Sequence, residues 1–131
     1  MSKAKIRLID KDVDCKLSKN FKHSEISCHC NYDDCTFTIV VQKTLDCLQT
    51  TRAVIYANKP FTPTNVYRCQ HHNADLSKSS KKSRHKKGLA ADIPCPPNMP
   101  FDEFIARLEN VWQRVLPYKS KSFCHCDNEI P

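Results

Sequence analysis

The sequence predicts an α+β domain, a small antiparallel sheet with flanking helices. Three observations carry that expectation. Two stretches show helical apolar spacing, short β-rich stretches lie between and after them, and 131 residues suffice for one modest core.

Residues 1–20 are polar and read as an N-terminal arm or edge segment preceding a domain over 21–131. Residues 21–37 set Cys28, Cys30 and Cys35 among the turn formers Asn31, Asp33 and Asp34, which predicts an irregular, tied-down loop. From Thr38 to Ala57, Val41, Leu45, Leu48 and Ile55 fall on one helical face, ended by Asn58-Lys59-Pro60. Phe61 to Tyr67 is β-rich despite Pro63 and reads as an edge strand. Arg68 to Leu76 reads as a short helix, and Ser77 to Lys87 as a basic loop. Leu89 to Ile93 is expected to be a buried strand. A second helix starts near Pro100, with Phe101, Phe104, Ile105, Leu108, Val111, Trp112 and Val115 as its face and Pro117 as its stop. Lys121 to Asn128 is the last expected strand.

Composition narrows the function classes. Leu, Ile, Val and Phe number 29, enough to exclude a wholly disordered chain and too few for a large interior. Gly88 is the only glycine, which excludes P-loop and Gly-rich dinucleotide sites. The net charge of +7 favours an anionic partner without choosing one. The N-terminus shows no apolar signal core and no run reaches the roughly 20 residues of a membrane span. A soluble chain made in a cytosol is expected. Nine cysteines, an odd count, then point to free thiols and metal ligands rather than a disulfide framework.

The chemistry concentrates in Ser83-Arg84-His85-Lys86-Lys87-Gly88-Leu89-Ala90-Ala91-Asp92. A histidine and an aspartate seven apart across a glycine turn bring a nitrogen and an oxygen to one metal, and Gly88 permits the reversal. A catalytic zinc takes three protein ligands, and His125 is the best third. Strand alternation puts His125 and Asp127 on one face, where the Asp127 carboxylate would reach a metal-bound water.

These residues resemble the zinc D-Ala-D-Ala carboxypeptidases and endopeptidases, whose fold is shared with the hedgehog signalling domain, and in particular their small phage-type members. The family signature S-x-H-x-x-G-x-A-x-D is matched at Ser83, His85, Gly88, Ala90 and Asp92. The later H-x-D element corresponds to His125 and Asp127. Asn20-Phe21, Ser24-Glu25-Ile26, Cys28 and Cys30 resemble the family's opening, and Tyr67-Arg68-Cys69 with His72-Asn73 resembles its "YRC..HN" segment. The landmarks keep their order over residues 20–127.

The resemblance implies zinc ligands His85, Asp92 and His125, oxyanion stabilisation and substrate binding by Arg68, and substrate binding by Ser83. Several relatives carry a glutamate base three residues before the last histidine; Ser122 stands there, and Asp127 is the substitute. Asn65-Val66 replaces the usual Ser-Gly before Tyr67, and a Lys- and Ser-rich loop replaces a Gly-Gly turn after Asn73.

Cys28, Cys30 and Cys35, joined by Cys69 or His29, are candidates for a second, structural zinc. Cys124 and Cys126 should point into the core, and His71 and His72 read as polar helix residues. The basic loop 77–87 would steer an anionic substrate. The leading expectation is a monomeric zinc peptidase acting on peptidoglycan peptides that contain D-alanine, a carboxypeptidase or an endolysin-like endopeptidase released to the wall by lysis. The alternative is a non-catalytic, hedgehog-like zinc module binding an anionic partner. Nucleic-acid binding rests on charge alone, because no aromatic residue lies between Tyr67 and Phe101.

Overall fold

The structure, a computed structural model, describes residues 5–75, without the Asp75 side chain, and 83–129. Two antiparallel sheets and four helices make an α+β arrangement, as expected. The strands are β1 (Ile6–Asp10), β2 (Phe37–Val41), β3 (Ala90–Pro94), β4 (Arg114–Tyr118) and β5 (Phe123–Asp127). The helices are α1 (His23–Ile26), α2 (Gln42–Val54), α3 (Gln70–Asp75) and α4 (Phe101–Glu109). Most of the basic loop, residues 76–82, lies outside the described residues, and its steering role with it.

β1 pairs with β2 from Ile6 opposite Val41 to Asp10 opposite Phe37. The described part of the expected arm is therefore an edge strand of the domain, and Leu17 beyond it is buried in the core. Residues 38–41, read above as helix, are strand. The β-branched run Thr38-Ile39-Val40-Val41 favours an extended backbone, and the helix starts only at Gln42. α2 then buries Thr44, Leu45, Cys47, Leu48 and Thr51. Phe61 to Tyr67 forms no strand; it is an irregular segment with bends at Thr64 and Val66 and one isolated bridge, Asn65 to Asp92.

The three-stranded sheet has the order β3-β5-β4. Its core face presents Ala91, Ile93, Cys124 and Cys126 to Phe21, Leu48, Phe104, Leu108 and Trp112. The other face presents Asp92, His125 and Asp127, because side chains alternate along a strand. Phe104 and Leu108, four apart, are the fully buried stripe of α4. That helix stops at Glu109 rather than running to Pro117. Val111 and Val115 continue the helical spacing by coincidence, and the chain from Arg114 instead pairs with β5, with Pro117 tolerated on the outer strand.

Gly88 ends a short 3-10 turn, Arg84–Lys87, with φ 71°, and a Cβ there would stand 2.5 Å from the Ile39 carbonyl oxygen. Thr44 Oγ donates to the Gly88 carbonyl at 2.7 Å, so β2 and α2 together fix the turn that carries His85. Gly88→Ala should cost about 1–3 kcal/mol from the left-handed backbone, with the clash in addition. Urea unfolding measures it; an unchanged midpoint would mean that the turn yields without cost.

Candidate metal centre

Three elements bring three side chains to one point. His85 comes from the 3-10 turn, Asp92 from the middle of β3 and His125 from the middle of β5. Asp92 and His125 are directly opposite in the β3–β5 register, so their side chains are neighbours on the same face. His85 Nε2 lies 3.2 Å from Asp92 Oδ1 and 3.2 Å from His125 Nδ1, and the last two lie 3.3 Å apart.

What holds the far side of each group decides what the near side offers. His85 Nδ1 is 2.8 Å from the Val66 carbonyl oxygen, which can only accept, so Nδ1 carries the proton and Nε2 a lone pair. His125 Nε2 is 2.7 Å from Asp127 Oδ2. Asp127 is a carboxylate held by Arg114 and Arg84, so Nε2 donates and His125 Nδ1 keeps its lone pair. Asn65 Nδ2 donates to Asp92 Oδ2 at 3.1 Å and leaves Oδ1 facing the two imidazoles. With both imidazoles neutral, three acceptors thus converge with no donor between them.

A cation resolves that repulsion. With zinc bonds of about 2.0–2.1 Å, the edge of a tetrahedron is about 3.3 Å. The observed triangle of 3.2, 3.2 and 3.3 Å is one face of it. Burial alone would lower the His125 pKa, but the Asp92 and Asp127 carboxylates outweigh it and raise it. Burial alone would raise Asp92, but its contacts with His125 and His85 hold it well below the usual carboxylate range. The centre calls for positive charge, and the trio fits zinc.

The geometry corrects one expectation. Asp127 lies on the far side of the His125 ring and is fully buried, with its oxygens taken by His125, Arg84 and Arg114. Burial pushes its pKa up, and the Arg114 and His125 hydrogen bonds push it down further than burial raises it. A carboxylate so engaged orients an imidazole and has no free lone pair for a water's proton. Its position does not fit the general base. Among the described residues, no carboxylate besides Asp92 and Asp127 contacts the trio. Glu129, the other acid near the end of β5, pairs with Arg84.

Arg68 is buried, its backbone N–H donates to the His85 carbonyl at 3.1 Å, and its Nη1 donates to Asn73 Oδ1 at 3.1 Å. Burial lowers its pKa, with the Asp92 charge acting the other way, and a guanidinium stays protonated regardless. Ser83 Oγ accepts from the His85 N–H and so caps the 3-10 turn. It also lines a cavity of about 840 Å³ with Phe37, Tyr67, Arg84, Lys86 and Lys87, beside the turn and without the three ligands themselves.

The four thiols of Cys28, Cys30, Cys35 and Cys69 also converge, all within 4.8 Å of one another. Cys69 completes that group. His29 is exposed and outside it, which answers the choice the spacing left open. His71 stacks on Tyr32, and His72 Nδ1 lies 3.2 Å from Cys28 Sγ. Cys124 and Cys126 point into the core. The residues that sequence reasoning missed are Asn65, Arg84 and Arg114, together with the Val66 carbonyl.

The Peptidase M15 family model matches residues 19–127. No curated protein and no solved structure matches. With most of the chain covered, and the trio inside the match, the chain belongs to the Peptidase M15 family of zinc-dependent metallopeptidases. No helix among the described residues is long and apolar enough to cross a membrane.

Asp127→Asn keeps the shape of the side chain and removes its charge. Zinc affinity should fall about 10- to 100-fold, the usual effect of losing the partner of a ligating histidine. Competition with a chromophoric chelator measures this, on protein whose circular dichroism is unchanged. Undiminished affinity would show that Asp127 does not support the ligand.

Proposed function

We propose that the chain hydrolyses peptide bonds involving D-alanine in peptidoglycan stem or cross-link peptides, as a D,D-carboxypeptidase or endopeptidase. The observation that carries the reading is the convergence of His85, Asp92 and His125, with Arg68 hydrogen-bonded to the backbone of one of them. When bound there, zinc would polarise the scissile carbonyl and acidify a water. The chain's own residues do the rest. His85, Asp92 and His125 hold the ion, and the Val66 carbonyl, Asn65 and Asp127 fix their orientation. Arg68 would supply a fixed positive charge to the developing oxyanion. Ser83, with Lys86 and Lys87 on the cavity wall, offers hydrogen-bond donors suited to the carboxylate groups of a stem peptide. A monomer released to the wall by lysis remains the simplest setting.

One observation favours a second reading, a zinc module that binds an anionic partner without catalysis. Asp127 is consumed by two arginines and a histidine, and no other carboxylate among the described residues contacts the trio in its place.

Cleavage of D-Ala-terminated and cross-linked muropeptides, followed by mass spectrometry, separates the two. Zinc-loaded protein should cleave, chelator should abolish the activity and added zinc should restore it. His85→Ala and Asp92→Ala should lose both metal and activity. Arg68→Ala should keep the metal and lose about two to three orders of magnitude in kcat. No cleavage of any muropeptide by zinc-loaded protein would leave the binding module.

A further inference from the structure

We propose that Cys28, Cys30, Cys35 and Cys69 hold a second zinc ion as a tetrathiolate, and that this ion organises the loop between α1 and β2. All nine cysteines are free thiols, and Cys30 Sγ and Cys69 Sγ are 3.6 Å apart. That is far beyond the roughly 2.05 Å of a disulfide. It is close to the edge of about 3.8 Å that a tetrahedron with zinc–sulfur bonds of about 2.3 Å requires. The other pairs stay within 4.8 Å, so four sulfurs enclose one ion-sized point.

Donors aim at the sulfurs from outside. The Cys69 N–H points at Cys28 Sγ at 3.4 Å, and the His72 N–H at Cys69 Sγ at 3.3 Å. Lys11 Nζ reaches Cys35 Sγ at 3.3 Å and Cys30 Sγ at 3.5 Å, and its third contact is the Cys30 carbonyl at 2.9 Å. A neutral thiol is a poor acceptor, whereas a thiolate attracts such donors. Four thiolates on a divalent ion leave two negative charges, and the Lys11 ammonium offsets one.

The loop also needs the ion. Residues 27–36 contain no helix or strand. The apolar cluster beneath them has four buried members, three of which are Cys28, Cys35 and Cys69 themselves, with Tyr67 the fourth. So little apolar surface does not hold a ten-residue irregular segment in place, and small irregular structures generally depend on a metal or disulfides. Cys69 directly follows Arg68, so the same ion pins the segment whose backbone reaches His85.

The test is metal content under reducing conditions, and it does not depend on which peptide is cleaved. Wild-type protein should carry two zinc ions per chain. His85→Ala should keep one, and X-ray absorption of that variant should show sulfur alone around zinc, at about 2.3 Å. Cobalt loaded into the same variant should give intense thiolate charge-transfer absorption. Cys30→Ser should lose one zinc and resist unfolding less, because a structural zinc contributes folding free energy. If Cys30→Ser does not fold, the His85→Ala measurements still decide. A metal-free His85→Ala, zinc in that variant without an all-sulfur shell, or a disulfide among these four cysteines found by mass spectrometry would overturn the proposal; one sulfur-bound zinc in the wild type would instead count against the His85, Asp92 and His125 centre.

Discussion

With both imidazoles neutral, three electron-pair acceptors face one another at hydrogen-bond distance, and no proton sits between them. Everything around them fixes that frustration in place. The Val66 carbonyl takes the only proton of neutral His85, Asp127 takes that of His125, and the Asn65 amide occupies the second oxygen of Asp92. The three supports come from two stretches of chain. The irregular segment 64–68 supplies two of them and is itself held by β3, through the Thr64 N–H to the Asp92 carbonyl and the Asp92 N–H to the Asn65 carbonyl. A segment without strand pairing of its own thus becomes the scaffold of two ligands.

Charge explains why Asp127 sits where it does. A fully buried carboxylate is tolerated only when paired and hydrogen-bonded. Arg114, opposite it on β4, and Arg84, from the turn that carries His85, meet that need from two sides. The arginines keep Asp127 ionised, ionised Asp127 holds the proton on His125 Nε2, and that proton's position frees Nδ1. The chain of dependence runs from a half-exposed arginine to a metal-facing lone pair. It also removes Asp127 from acid–base chemistry, because an oxygen that already accepts two or three hydrogen bonds has little basicity left.

The pairing of His85 with Asp92 was legible because its spacing is local, and His125 because it stands in an H-x-D element. His85, Gly88 and Asp92 lie within one turn and one strand, and H-x-D on β5 follows the two-residue strand repeat. Gly88 was legible for the same reason, and the 2.5 Å approach of the Ile39 carbonyl supplies the steric cause. β2 was hidden because Val41, at its end, also fits the helical repeat of α2. β4 was hidden because Val111 and Val115 are four apart, and with β4 went Arg114 as the partner of Asp127. The support of His85 was invisible in principle: a backbone carbonyl, that of Val66, has no residue code. Cys69 could be nominated from its neighbours, but only the fold brings it across 34 residues of chain to Cys35.

Arg68 and Cys69 join the two convergent groups of the structure. The backbone of Arg68 is bonded to His85, and the thiol of the next residue belongs to the cysteine cluster. The 64–69 segment therefore has one end at Asp92 and the other in the cluster, with the Val66 carbonyl that supports His85 between them. Irregular backbone outside a sheet ordinarily opens at lower free-energy cost than strands or helices do. Fastening it at both ends removes that freedom around Arg68. The fold thus fixes the backbone of Arg68 between the three candidate ligands and the cysteine cluster.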